Sequence, residues 1–150
     1  LIEGGFGYLD DSIDEISTDV EALGAVTSVT TENTLPYTPK LKTNLGIGYT
    51  YETENWYITP RVDVSYRDQT FFDTSNTEDI AQMDSVTTLD MSIGFENSDN
   101  GLKFNLGINN ATDELYPIAG NSSLATGSGY AEIAYARPRQ VFANVSYDFY

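Results

Sequence analysis

Apolar and polar residues alternate one by one through six stretches of this chain, and this period of two restricts its fold more than any other feature. In the segment 40–52, Leu45 and Ile47 fall in one phase. Lys42 and Asn44 fall in the other. Helical periodicity is nearly absent. The sequence therefore predicts an all-β chain with strands in the segments 3–16 (the weakest), 40–52, 55–68, 87–96, 101–110 and 141–150.

The connections between these stretches alternate strictly between short and long. Two are short and rich in turn-forming residues, at 53–55 and 97–101. Three are long, at roughly 16–38, 72–85 and 111–138. Loops longer than about 12–15 residues are uncommon in compact domains. This pattern predicts an antiparallel, up-and-down order of strands, with all the short turns at one edge of the sheet.

Pro60 lies inside the third stretch. Proline cannot donate a hydrogen bond to a sheet ladder and is disfavoured in a central strand. We therefore expect a bulge near the start of this strand.

Composition excludes several functional classes. The chain has no Cys and no His, which removes disulfides, thiol chemistry and a Ser-His-Asp triad. With 7 Lys and Arg against 23 Asp and Glu, its formal charge of -16 makes nucleic acid a poor partner. No pair of carboxylates is framed by apolar neighbours as glycoside hydrolysis requires. We therefore expect neither enzymatic activity nor a cofactor.

An alternating strand fits two environments. In a soluble sandwich its apolar face packs into a core, whereas in an outer-membrane barrel that face meets lipid and the polar face lines the lumen. Aromatic residues of the apolar phase collect where strands meet the short turns, as in the aromatic girdle of a membrane barrel. The predicted girdle consists of Tyr49, Tyr51, Trp56, Phe95, Phe104, Tyr147 and Phe149.

Two further properties favour the barrel. The predicted strands are about 9–13 residues long, enough for a tilted strand to cross a bilayer. The polar phase mixes Gly and Asn with charges of both signs, which suits a lumen filled by other protein, although a solvated face explains these charges nearly as well. The charged residues are Arg61, Asp63, Arg67, Asp90, Glu96 and Lys103.

The long loops carry the candidate ligand contacts. Aromatic residues that are exposed on adaptable loops suit the mouth of a receptor, and we expect these to be exposed, although an outer aromatic girdle explains them equally well. The arginines around Pro138 could contact an anionic ligand, and anchoring of the last strand by pairing with loop acids is the favoured alternative. The candidates are Phe71, Phe72, Tyr116, Tyr130, Tyr135, Arg137 and Arg139.

An acidic stretch follows the first strand. It could bind calcium, but it lacks the residue order of an EF-hand loop, so a solvated loop and no metal site are predicted. Its acids are Asp10, Asp11, Asp14, Glu15, Asp19 and Glu21.

Three short motifs resemble those of TonB-dependent outer-membrane receptors. An N-[LA]-T-D-x-x-Y element ends the penultimate strand of that family, and an x-R-P-R element opens its last strand. A third element, N-x-[LI]-P-x-x-P, opens an earlier strand. The matching residues here are Asn110, Ala111, Thr112, Asp113 and Tyr116, then Arg137, Pro138 and Arg139, and upstream Asn33, Leu35, Pro36 and Pro39.

The resemblance implies that residues 1–150 are the last six strands of an antiparallel, up-and-down transmembrane β-barrel of about 22 strands. It implies a plug domain and earlier strands that are absent here, short turns on the periplasmic side and long loops outside. A start at Leu1 also favours a processed protein or a fragment. The last strand would close the barrel with Phe149, rather than Tyr150, facing lipid.

The implied function is TonB-energised uptake of a siderophore-iron complex, haem, cobalamin or an oligosaccharide across the outer membrane of a Gram-negative bacterium. The implied partners are the lipid bilayer, lipopolysaccharide, the receptor's own plug, the TonB energy transducer, the barrel-assembly machinery and the substrate. Two other functions stay open: a secreted acidic β-sandwich that binds carbohydrate, and a small outer-membrane pore without a plug.

Overall fold

The computed structural model describes residues 1–15, 29–78, 81–122 and 129–149, and within these ranges the chain is all-β. Tyr150, Asp19 and Glu21, which figure in the predictions above, lie outside the described residues. The strands are β1 (Ile2–Tyr8), β2 (Leu41–Gly48), β3 (Tyr51–Glu52), β4 (Trp56–Arg67), β5 (Thr70–Phe71), β6 (Gln82–Met83), β7 (Val86–Asn97), β8 (Leu102–Asn109), β9 (Pro117–Ser122), β10 (Ala131–Tyr135) and β11 (Gln140–Tyr147).

Six main strands form one antiparallel sheet in the order β1-β2-β4-β7-β8-β11, with β3 paired to β4. Each main strand therefore lies beside the next one along the chain, which confirms the predicted up-and-down order. The sheet does not close on itself, because β1 and β11 form its two edges. β1, β2, β8 and β11 are 7 or 8 residues long, shorter than predicted, while β4 and β7 have 12.

The register collects the apolar residues on one face. Residues directly opposite each other in an antiparallel pair point to the same side of the sheet. One row of such partners crosses all six main strands, and its members are Ile2, Ile47, Val62, Met91, Ile108 and Val141. These side chains are not covered by a second layer of the described chain, and Val141 is 79% exposed. The sheet thus has a continuous, uncovered apolar face.

The opposite face carries ion pairs. The Arg61 guanidinium lies 2.9 Å from a carboxylate oxygen of Glu3 and 2.7 Å from one of Asp63. Gly46 makes room for this cluster, since a Cβ there would lie 2.6 Å from Arg61 Nη2. Lys103 Nζ similarly contacts Glu96 at 3.2 Å. Opposite charges on this face therefore meet, as the sequence predicts.

Phe142 is an exception that the alternation does not reveal. It lies opposite Gly107 in the β8–β11 pair, on the polar face, and is half-buried. A Cβ at position 107 would collide with the Phe142 ring. The glycine therefore leaves a recess that the Phe142 ring occupies.

The bulge predicted at Pro60 is wrong, because the β4–β7 register runs through it without a shift. The interruption falls on the other side of β4. The Pro60 carbonyl accepts a hydrogen bond from the Tyr49 N–H (3.1 Å), but the reciprocal bond would need the N–H that proline lacks. The ladder therefore breaks between β2 and β3, although both keep one register against β4.

A layer of loop structure lies at the edge opposite the short turns. The predicted long loops contain two hairpins of their own, β5–β6 and β9–β10. Phe72, Ala81 and Met83 form a buried cluster there, with Val86 and Tyr116 packed against it. This cluster is the hydrophobic core of the described chain.

Candidate functional site

Two adjoining cavities lie on the polar face at the long-loop end of the sheet. The first has a volume of about 210 Å³ and is lined in part by Lys42, Asn44, Ser65, Arg67, Thr88 and Tyr116. The second has about 390 Å³ and is lined in part by Asp90, Asn110, Arg137 and Gln140. Thr88 and Tyr116 line both cavities. Tyr116 therefore lies where the two cavities of this polar recess adjoin, beneath the loops.

The position of Tyr116 follows from a turn built on Asn110. This residue is 7% exposed and adopts a left-handed conformation (φ 50°), which asparagine tolerates better than most residues. Its amide nitrogen donates to the Glu114 carbonyl (2.9 Å) and to the Arg137 carbonyl (3.3 Å). Its amide oxygen accepts from the Glu114 N–H at 2.9 Å. Asn110 thus joins the start of the last long loop to its end.

Asp113 completes this junction. Its carboxylate accepts the backbone N–H of Arg139 at 2.8 Å and lies 3.6 Å from the Arg139 guanidinium. The Ala136 N–H donates to the Tyr116 carbonyl at 2.9 Å. The asparagine-aspartate motif and the arginine-proline-arginine motif therefore bind each other and close the base of the loop.

The upstream motif has a similar role between the other two loops. The Asn33 side chain donates to the Thr74 carbonyl at 3.1 Å, and the Thr34 N–H donates to the Asn76 side chain at 2.7 Å. Asp11 accepts the Leu35 N–H at 2.7 Å. Among the described residues, no group of three potential metal ligands occurs. The described part of the acidic stretch thus contributes loop hydrogen bonds.

Lys42 and Arg67 lie side by side in the lining of the first cavity. They are direct partners in the β2–β4 pair, on the polar face. Hydrogen bonds mark the pairs Leu41–Asp68 and Tyr49–Pro60, so the alternation of the ladder makes Lys42–Arg67 a non-hydrogen-bonded pair. The Cα atoms of such pairs are about 4.5 Å apart, the closer of the two spacings. Two cationic residues are therefore direct neighbours on the polar face beneath the loops.

The predicted ligand residues have different surroundings. Tyr130 and Tyr135 are half-exposed, Arg137 is exposed and lines the second cavity, and Phe71 is partly buried in β5. Phe72 is only 7% exposed, so its predicted exposure is wrong. Its ring lies 5.5 Å from that of Tyr37 and belongs to the loop core, because the loops fold onto one another. The ion pair with a loop acid, favoured for the arginines, is present for Arg139. A role in ligand binding stays a prediction for the whole set.

The predicted girdle residues lie at the short-turn end of the apolar face. Rings meet in three pairs: Tyr49 with Tyr51 (4.7 Å between centroids), Trp56 with Phe104 (6.2 Å), and Tyr147 with Phe149 (4.8 Å). Phe95 is the direct strand partner of Phe104. Phe149 is 90% exposed on the same face as Tyr147. Their location at one membrane interface remains a prediction.

Comparison with known proteins agrees with this geometry. An antiparallel meander with one apolar and one charged face, and long loops at a single edge, defines a piece of the wall of a transmembrane β-barrel. The family model described as "TonB dependent receptor-like, beta-barrel" matches residues 1–111. The chain belongs to this family of TonB-dependent receptors, which are Gram-negative outer-membrane receptors and transporters rather than enzymes.

Two solved structures have a similar fold. The ferric preacinetobactin receptor BauA of Acinetobacter baumannii superposes with a TM-score of 0.73 and 20% identity, over 99% of this chain and 20% of that one. The ferric yersiniabactin uptake receptor FyuA of Yersinia pestis gives a TM-score of 0.66 and 23% identity, over 77% of this chain and 17% of that one. The chain thus spans about a fifth of the length of either receptor. A search of curated protein sequences found no match. Among the described residues, no helix is long and apolar enough to span a membrane.

Proposed function

We propose that this chain forms part of the wall and mouth of an outer-membrane receptor that imports a ferric siderophore with energy supplied through TonB. The wall separates the lumen from lipid, and the long loops help to capture the substrate. The receptor's plug, which would lie outside residues 1–150, blocks the lumen until the TonB transducer acts on it. The chain itself performs no covalent chemistry.

The observation that carries this proposal is the division of the sheet into two unlike faces. The row from Ile2 to Val141 offers lipid an uninterrupted apolar surface. The other face holds Arg61 and Lys103 in ion pairs and suits contact with water and protein. A β-sandwich would cover the apolar face with a second sheet. The described chain supplies no such layer, which counts against the secreted carbohydrate-binding module.

The substrate class is supported by the similar receptors. FyuA and BauA are both described as receptors for ferric siderophores. The recess at the long-loop end, with about 210 and 390 Å³ in its two cavities, offers space and polar groups where an incoming ligand would arrive. Haem, cobalamin and oligosaccharides are the competing substrates. The remaining proposed partners are lipopolysaccharide around the outer loops and the barrel-assembly machinery at the β11 end.

Uptake by the complete receptor tests the proposal. The full-length protein would be produced in a Gram-negative strain without siderophore receptors of its own, and accumulation of radiolabelled iron measured for a panel of ferric siderophores. We expect saturable uptake that disappears when TonB is deleted. Uptake of haem, cobalamin or oligosaccharide alone would reject the siderophore assignment. Uptake of small solutes that persists without TonB would instead indicate an open pore.

Membrane integration is tested separately. The receptor should fractionate with the outer membrane and require detergent for extraction, because its apolar face needs lipid or a substitute. Recovery of the full-length protein as a detergent-free, soluble monomer would reject the barrel wall itself.

A further inference from the structure

The cations of this chain fall into two groups. Arg61, Lys103 and Arg139 each form ion pairs with carboxylates. Lys40, Lys42, Arg67 and Arg137 form none with the described residues, although the chain has 23 acids for 7 cations. Among these four, only Lys42 and Arg67 lie directly opposite each other in a strand pair and line the same cavity, which marks the first cavity as unusual.

Their arrangement is also unfavourable without a partner. Like charges directly opposite each other in an antiparallel pair destabilise it, most strongly where side chains are close. Lys42 and Arg67 occupy such a position. Both are exposed to the lumenal side, so solvent reduces this repulsion without removing it. An anion placed between them would turn the repulsion into two attractions.

The lining of the first cavity suits an anion. None of its lining residues is acidic, and Asn44, Ser65 and Thr88 add an amide and two hydroxyl groups that can donate hydrogen bonds. The guanidinium of Arg67 can hold two oxygens at once, while Lys42 supplies a compact charge. Gly7, the strand partner of Lys42, has no atom within 4 Å of where a Cβ would lie, so the side of β1 is open.

We propose that Lys42 and Arg67 bind a pair of anionic oxygens, carboxylate or catecholate, on the incoming ferric chelate. This assignment rests on the proposed function and narrows it to anionic siderophores. Because the chain is strongly acidic elsewhere, such a ligand is attracted at the cationic entrance and repelled by the surrounding acids. The site therefore selects by charge as well as by position. Tyr116, which separates this cavity from the second one, contacts the bound chelate.

Uptake kinetics of charge variants test the site. The variants Lys42→Gln, Arg67→Gln and the double variant would be made in the full-length receptor, with Lys40→Gln as a control that removes one positive charge outside the two cavities. The probes are radiolabelled iron complexes of a tris-catecholate, of citrate and of a neutral tris-hydroxamate. We expect each single variant to weaken uptake of an anionic chelate about tenfold and the double variant about a hundredfold, because a charge-assisted hydrogen bond contributes roughly one tenfold step in affinity. Uptake of the neutral chelate by these variants should change less than about twofold, and so should uptake of the anionic chelates by the Lys40→Gln receptor.

The outcomes separate this inference from the function on which it rests. If only the neutral chelate enters, in a TonB-dependent manner, the receptor is a siderophore importer and the anion site is rejected. An anionic chelate that enters equally well in the double variant also rejects the site. If no ferric chelate enters, the proposed function fails and this inference fails with it.

A carboxylate of the plug is the other source of anionic oxygens. If the plug supplies it, the double variant should lower the melting temperature of the substrate-free receptor and weaken all chelates equally. That result would overturn the assignment to substrate. An unchanged melting temperature with selective loss of anionic chelate supports it.

Discussion

The turn at Asn110 allows a loss of stability to be estimated from individual bonds. Replacement Asn110→Ala removes three side-chain hydrogen bonds, two to Glu114 and one to the Arg137 carbonyl. Each net bond is worth about 0.5–1.5 kcal/mol, and the one at 3.3 Å counts least. Alanine in a left-handed conformation adds roughly 1–2 kcal/mol of strain. With the two shorter bonds and the strain counted, the local free energy of opening should fall by about 2–5 kcal/mol.

Hydrogen exchange in the full-length receptor measures this opening. The reporters are the N–H groups of Ala136 and Arg139, which are bonded to the Tyr116 carbonyl and the Asp113 carboxylate and not to Asn110 itself. Because about 1.4 kcal/mol corresponds to a factor of ten, Asn110→Ala should accelerate their exchange about 30- to 4,000-fold.

Two further variants separate the contributions. Asn110→Gly removes the same hydrogen bonds, but glycine adopts the left-handed conformation without strain. Its loss of opening free energy should therefore be smaller than that of Asn110→Ala by about 1 kcal/mol. Asn109→Ala, at the neighbouring position, is the matched control. If hydrogen exchange at Ala136 and Arg139 is no faster in either Asn110 variant than in Asn109→Ala, the proposed junction does not hold the loop. Equal acceleration by alanine and glycine would show that left-handed strain contributes nothing.

Three further predictions test the two faces of the wall. Gly107→Ala should lower the free energy of unfolding, measured in urea, by about 1–3 kcal/mol, because the new methyl group meets the Phe142 ring and a backbone oxygen of β7. Adding Phe142→Ala to the same chain should recover part of this loss. Gly46→Ala should cost less than about 1 kcal/mol, since only the flexible ends of Arg61 and Asp63 must move; a larger loss than at Gly107 would contradict this. Leu106→Arg, on the apolar face, should lower the free energy of folding into lipid vesicles by about 2–4 kcal/mol. Tyr147→Arg, at the short-turn end, should lower it by only about 0–1 kcal/mol. A larger loss for Tyr147→Arg than for Leu106→Arg would show that the short-turn end does not lie at the membrane interface.

The wall of this protein is largely predictable from its sequence, because alternation is a local signal. The six main strands occur where the period of two predicts them, and short connections such as 53–55 join neighbours in the sheet. The error at Pro60 has a physical reason. A missing donor interrupts only the ladder on the side it faces, so the β4–β7 pair keeps its register.

The site is much less predictable, because it depends on partners far apart in sequence. Lys42 and Arg67 become neighbours only through the β2–β4 register, and neither charge was recognisable as part of a pair. Phe142 interrupts the polar phase of the last strand, but the reason that this face accepts an aromatic residue appears only when Gly107 is known to lie opposite it. The hairpins β5–β6 and β9–β10 are not predicted, because strands of two to six residues are too short to show a clear period of two.

The location of the buried cluster has a consequence for how this protein responds to its surroundings. Phe72, Ala81 and Met83 can leave water by packing against each other, so the loop layer has a source of stability that does not depend on the bilayer. The wall has no comparable source within this sheet and takes its apolar environment from the bilayer. Changing lipid thickness or detergent should therefore shift the stability of the wall while leaving the mouth nearly unchanged. If the loops capture the substrate as proposed, sequence changes in them would alter what is captured while leaving the wall's dependence on the membrane unchanged.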